Sequence, residues 1–254
     1  MNNLEKNIME QNRHQFIYGY NTSERQMLLD NLIRLYVIEN NVDKPIGIYL
    51  SKFNMEFNDG RDKIRLYSIA REFLTFNIIY SILKEVLNNC ALDEEDVNKF
   101  LNKINHVYLK SSYSEIKSLN ELLLVLKESM EFYNNYYEME CPNISNLKIP
   151  FLDLTMVIKN IKKMINNNSY FAIIINGDNI SNITKLAINN LLSSRINKDV
   201  SMKIFCEPGS WNVNYDFNGN VINNIHDYGV VNFDESEREY TRILKNNLGG
   251  SSEV

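Results

Sequence analysis

The sequence predicts an α/β fold of three layers, with helices on both faces of a parallel sheet and a helical insertion interrupting the alternation. Three observations carry this expectation. Short unbroken apolar runs, clearest in Tyr170-Phe171-Ala172-Ile173-Ile174-Ile175, have the length and uniformity of strands buried on both faces. Segments with apolar residues at helical spacing separate those runs. A block over about 61–140 is helical in pattern throughout and contains no strand signal.

Met1–Gln15 is polar and mixed in charge, without the apolar centre of a signal peptide. Phe16-Ile17-Tyr18 reads as a strand that enters a turn at Gly19-Tyr20-Asn21. Thr22 or Ser23 is positioned to cap a helix in which Met27, Leu28, Leu32, Leu35 and Ile38 recur as far as Asn40-Asn41. Lys44-Pro45 then introduces a second strand, Ile46-Gly47-Ile48-Tyr49-Leu50, and the strand–helix–strand unit implies a parallel pair.

The insertion begins with a long helix over Arg61–Asn89. Asp93-Glu94-Glu95 places acids at the start of a second helix, where the macrodipole favours them, and that helix runs to about Tyr108. A third spans Ser118 to Tyr137. After Pro142 and Pro150 the alternation resumes with a helix at Asp153–Asn166, the strand at 170–175, a helix at Ser181–Arg195 and a strand at Ser201–Cys206. Asn218-Gly219 marks a hairpin turn within Asn214–Ile222, Gly229–Phe233 reads as the last strand, and Ser236–Leu248 as a closing helix. Residues 1–248 are therefore expected to form a single domain, with 249–254 a disordered tail.

Composition removes several classes of function. A net charge of -5 offers no global positive field, which argues against direct contact with nucleic acid or anionic lipid. No run approaches the roughly 18 apolar residues of a membrane span. Cys90, Cys141 and Cys206 are too scattered for a disulfide framework or zinc ribbon, and His14, His106 and His226 have no partner at metal-ligand spacing. A reducing cytoplasm is the expected compartment.

The first strand–turn–helix carries the chemical signal. A phosphate loop reads G-x-x-x-x-G-K-[ST], with backbone N–H groups around the phosphates, a Lys neutralising charge and a hydroxyl on Mg²⁺. In that register the chain has Gly19-Tyr20-Asn21-Thr22-Ser23-Glu24-Arg25-Gln26. Glu24 sets a carboxylate where phosphate oxygens belong, Arg25 replaces a compact ammonium with a planar fork, and Gln26 offers an amide in place of the hydroxyl. Downstream, the apolar strand that should end in Asp-Glu ends in Asn176-Gly177-Asp178.

On these elements the chain resembles the ATPase core of origin-recognition-like AAA+ proteins, within the P-loop NTPase superfamily. The resemblance rests on Phe16–Leu32 as phosphate loop and first helix, Pro45–Leu50 as the next strand, and Tyr170–Asp178 as the acidic motif. It continues through Ser201–Cys206 as the sensor strand, which ends in Cys206-Glu207, and His226-Asp227-Tyr228 before the last strand. It implies a three-layer P-loop NTPase-like fold and a nucleotide site at Gly19, Asn21, Thr22, Ser23, Arg25, Gln26 and Asp178. It also implies a pseudo-ATPase, because the loop, the acidic motif and the sensor position are altered together. ATP with Mg²⁺ would be held only if the altered loop still binds. The expected role is a scaffold or subunit beside another protein, such as an active ATPase homologue; the alternatives are an atypical working ATPase and a DNA-associated regulatory module.

Without the resemblance, each residue has a plainer reading. Gly19 is a tight turn, Arg25 a helix-surface cation, and Asp178 a helix cap or a member of an Asn-Gly-Asp turn. His226-Asp227 is structural, Cys206 a buried small hydrophobe, and Tyr133, Tyr136 and Tyr137 are packing residues. Trp211 lies in a loop beside Pro208-Gly209, with an interface anchor as the less simple reading.

Overall fold

Five strands pair in parallel throughout, in the order β2-β3-β4-β1-β5. The computed structural model describes residues 3–39, 45–55, 63–136, 142–165, 170–193, 199–212, 214–222 and 227–232. Among them the chain forms α1 (Asn3–Glu10), β1 (His14–Tyr18), α2 (Thr22–Ile33), β2 (Ile46–Leu50), α3 (Lys63–Asn89), α4 (Glu94–Val107) and α5 (Leu119–Asn134). It continues as α6 (Leu154–Met164), β3 (Phe171–Asn176), α7 (Asn182–Ser193), β4 (Val200–Cys206) and β5 (Tyr228–Asn232). A π-helix at Arg34–Ile38 prolongs α2. Among the described residues, no helix is long and apolar enough to cross a membrane. The closing helix expected at Ser236–Leu248, the tail at 249–254, and the residues His226, Tyr137 and Cys141 lie outside the described residues.

Alternation along the strands divides the core in two. Phe16, Ile48, Ile173 and Ile204 face α3, α5, α6 and α7, whereas Ile17, Ala172, Ile174 and Phe205 face Ile8, Met9, Leu28, Leu29, Leu32 and Tyr36 on the other side. Helices thus cover both faces, the three-layer arrangement that the strand runs predict. Burial of each such Ile or Leu contributes about 2 kcal/mol. Tight contact on the second face depends on Gly47: a Cβ there would sit 2.7 Å from the Tyr36 carbonyl oxygen, so only glycine lets the π-helix lie against β2.

Three local expectations are corrected. β1 and β2 are parallel but do not pair, because β3 and β4 lie between them. The cap of α2 is Asn21 rather than Thr22 or Ser23: its Oδ1 accepts from the N–H groups of Ser23 and Glu24. The stretch before β1, which carries no strong periodic signal, forms α1, and Ile8 and Met9 bury completely. The insertion forms as expected, with Asp93 and Ser118 capping α4 and α5. Within it, Tyr133 and Tyr136 are buried as packing residues.

The amino end of the sheet holds a buried polar cluster. Lys203, in the middle of β4, is fully buried and donates to the carbonyl oxygens of Gln11 (2.6 Å) and Arg13 (3.0 Å) and to Gln15 Oε1 (2.5 Å). These three bonds tie the α1–β1 connection to the sheet. Burial, with the Arg13 guanidinium adding to it, lowers the Lys203 ammonium to about 7. Beside it, His14 Nδ1 accepts from the Met202 N–H at 3.0 Å, which requires that nitrogen to be unprotonated. Burial lowers the imidazole from 6.5 to about 4; the Lys203 charge acts in the same direction and Asp227 opposes it.

Between those two values the unfolded chain takes up a proton that the folded chain refuses, so stability falls as pH drops through the window. The loss expected by the acid end is up to roughly 3 kcal/mol, read from urea unfolding across that range, and His14→Gln flattens the slope. A slope in the variant equal to that of the unaltered chain would contradict the assignment.

Candidate functional site

The topology selects one place on the sheet for chemistry. The β1–β2 crossover runs through α2 on one face, while the crossovers from β2 to β3 and from β3 to β4 run through α3–α6 and α7 on the other. The chain leaving β1 enters α2 on one face, whereas the chain leaving β4 packs Trp211 and Ile222 on the other. These neighbouring strands therefore diverge at their carboxyl ends, the switch point of the sheet. Gly19, Glu207 and Asp178 follow the ends of β1, β4 and β3 there, and Gly19 and Asp178 are joined through Arg25. The register agrees, since Tyr18 pairs with Cys206 and Asn176 with Phe205.

Arg25 fills the crevice at this switch point. It projects from the first turn of α2 and is only 4% exposed, so the surface-cation reading is corrected. One guanidinium nitrogen donates to the Gly19 carbonyl oxygen and the other to Asp178 Oδ2 at 2.6 Å. An arginine buried in this manner needs both partners, because its planar fork cannot shed its charge. Asp178 does not cap the following helix. Ser181 does, accepting from the Thr184 N–H at 3.2 Å, and Asp178 stands in the turn after β3 with its own N–H on Asn176 Oδ1.

Every other candidate position is also occupied locally. The connection from β1 to α2 is only Gly19-Tyr20-Asn21, so Thr22, Ser23, Glu24 and Gln26 already belong to the helix. Thr22 and Ser23 are exposed at its start, while Asn21 takes the N–H groups of Ser23 and Glu24 through its side chain and that of Arg25 through its carbonyl oxygen. Gln26 is exposed; it donates to Asp30 at 2.8 Å and accepts from the Asn176 amide at 3.5 Å, so it touches the end of β3. Gly177 N–H donates to the Phe205 carbonyl oxygen at 2.6 Å, and a Cβ at this position would come within 2.9 Å of that same oxygen. A side chain of any kind, glutamate included, is therefore excluded there without displacing the backbone.

Cys206 lies beneath the pair, fully buried, and burial pushes its thiol up to about 12. It is an apolar filler at working pH and no nucleophile. Among the described residues, no group of three or more His, Cys, Asp or Glu side chains is placed to hold a metal ion.

Four asparagines fix the loops here, and three of them, Asn54, Asn179 and Asn189, carried no chemical signal in the sequence. Asn21 could have been recognised, standing directly before a helix. Asn54, after β2, accepts from the Ser181 N–H at 2.8 Å and donates to the Asn179 carbonyl oxygen at 3.2 Å, fixing the turn that carries Asp178. Asn179 sits at φ 58°, a left-handed conformation that asparagine tolerates. Asn189, fully buried on α7, donates to the carbonyl oxygens of Asn212 and Tyr215 and accepts from Trp211 Nε1 at 3.0 Å. Trp211 is accordingly buried, edge-on to Phe16, and is not an interface anchor.

Fold and site together define an α/β protein with a five-stranded parallel sheet and an ion pair closing its switch-point crevice. The chain matches no known family model, and no curated protein is significantly similar to it.

Asn189→Leu keeps the branched shape but strands one indole N–H and two carbonyl groups. It is expected to lower stability by about 3 kcal/mol in urea unfolding and to raise hydrogen exchange in the segment after β4. A loss below about 1 kcal/mol would contradict the strapping role.

Proposed function

We propose that the protein is a P-loop NTPase-like scaffold that has lost turnover and works by holding another protein, for which an active ATPase homologue is one candidate. The observation that supports this reading is the Arg25–Asp178 pair. The cation in the phosphate-loop register is spent on an internal carboxylate, and that carboxylate comes from the strand end where a magnesium ligand is expected. The order β3-β4-β1 supports the reading further, because Asn176–Asp178, Cys206-Glu207 and Gly19–Gln26 stand at the ends of neighbouring strands.

A bound triphosphate would have to displace Asp178 from Arg25, take the Ser23 and Glu24 N–H groups from Asn21, and approach the Glu24 carboxylate. Each step removes a satisfied contact, and the last adds like-charge repulsion. An atypical ATPase would need Arg25 on phosphate and Asp178 on magnesium, and their mutual pairing counts against both roles. Tyr20 and Met27, 68% and 63% exposed beside the loop, offer a partner an apolar foothold at the same end of the sheet.

Addition of ATP with magnesium is expected to leave the melting temperature unchanged and to release no phosphate. A magnesium-dependent rise in melting temperature that disappears in Arg25→Met would overturn the proposal.

A further inference from the structure

A second opening lies away from the ion pair, where β2 ends against the helical insertion. Two cavities of about 640 Å³ and 320 Å³ share Ser51, Lys52, Tyr80 and Met130, and so form one continuous cleft. Each is of a size that small ligands occupy. One wall is α3 and the other α5, with Phe73, Tyr80 and Met130 supplying apolar and aromatic surface. The cleft thus sits at the carboxyl side of the sheet, where α/β proteins generally take their ligands.

Its charges point to one class of occupant. The lining contains Lys52, Lys84 and Lys127 against Glu85 and Glu131, three cations less two carboxylates, which leaves one positive charge. Lys127 spends part of its charge on Glu131 at 3.6 Å. Lys52 and Lys84 make no side-chain hydrogen bond or ion pair among the described residues. The Lys52 backbone is held in place, because the buried Asn77 donates to its carbonyl oxygen at 2.5 Å. Among the described residues, the lining holds no arginine and no glycine-rich turn, the usual partners of a multiply charged phosphate. A single carboxylate matches the net charge, and a flat ring matches Tyr80 and Met130.

We propose that this cleft binds a small aromatic carboxylate, its ring against Tyr80 and Met130 and its carboxylate on Lys52. The site is independent of the switch-point crevice and does not rest on the scaffold reading.

Ligand-observed fluorine NMR of the full chain with fluorobenzoate tests it. Binding is expected, with displacement by benzoate but not by neutral benzamide. Lys52→Ala, an exposed change that leaves the fold intact, is expected to weaken binding about fivefold. Met130→Trp fills the cleft and abolishes binding, whereas Arg25→Met, at the other site, leaves it unchanged. Absence of binding, equal competition by benzamide, or full retention of binding in Lys52→Ala would overturn the proposal.

Discussion

Arg25 leaves the side of its own helix and crosses the sheet end to meet Asp178, and much of the surrounding structure exists to permit that contact. Taking both charges partly out of water costs several kcal/mol per ion, a cost offset only when geometry is close and remaining donors are satisfied. The 2.6 Å contact and the second bond to the Gly19 carbonyl oxygen meet those conditions. The three-residue connection after β1 sets the start of α2 so that its fourth residue faces inward. Gly177 brings the β3 terminus down onto β4, and Asn54 fixes the turn that presents Asp178. The pair is thus specified from three directions at once.

Legibility in the sequence follows from which forces act over short range. The strands are readable because parallel strands covered on both faces must be apolar along their whole length, as β3 is. The three insertion helices are readable from spacing and from Asp93 and Ser118 at their starts. Strand neighbours are not readable: the β1–β2 unit looks like an adjacent pair, and only the later arrival of β3 and β4 separates them. Lys203 is similarly opaque, since its acceptors belong to a connection nearly two hundred residues earlier.

The candidate site was legible as a set of positions and illegible as an arrangement. Gly19, Arg25 and Asp178 do converge at the carboxyl ends of the strands. Residue types alone make Arg25 a surface cation and Asp178 a cap or a turn residue; the turn is right, but nothing local reveals that Arg25 and Asp178 are partners across 153 positions. The setting of Trp211 is hidden for the same reason: its partner Asn189 gives no hint in sequence of a side chain that satisfies an indole and two carbonyl groups. In each case a polar residue is read by its average environment, whereas its place is decided by a long-range partner.

Two openings with contrasting chemistry lie along one end of the sheet. The switch-point crevice is closed by charges already neutralised within the chain, and the cleft under α3 and α5 keeps Lys52 and Lys84 uncommitted. Both lie on the carboxyl side of the strands, and only the first is filled by an internal ion pair. The most direct test is a double-mutant cycle on Arg25→Met and Asp178→Ala, measured by urea unfolding. A coupling free energy of about 2 kcal/mol is expected, with the single Arg25→Met change more destabilising than the double because it strands the Asp178 carboxylate. Coupling within about 0.3 kcal/mol of zero would contradict the ion pair as the element that closes the crevice.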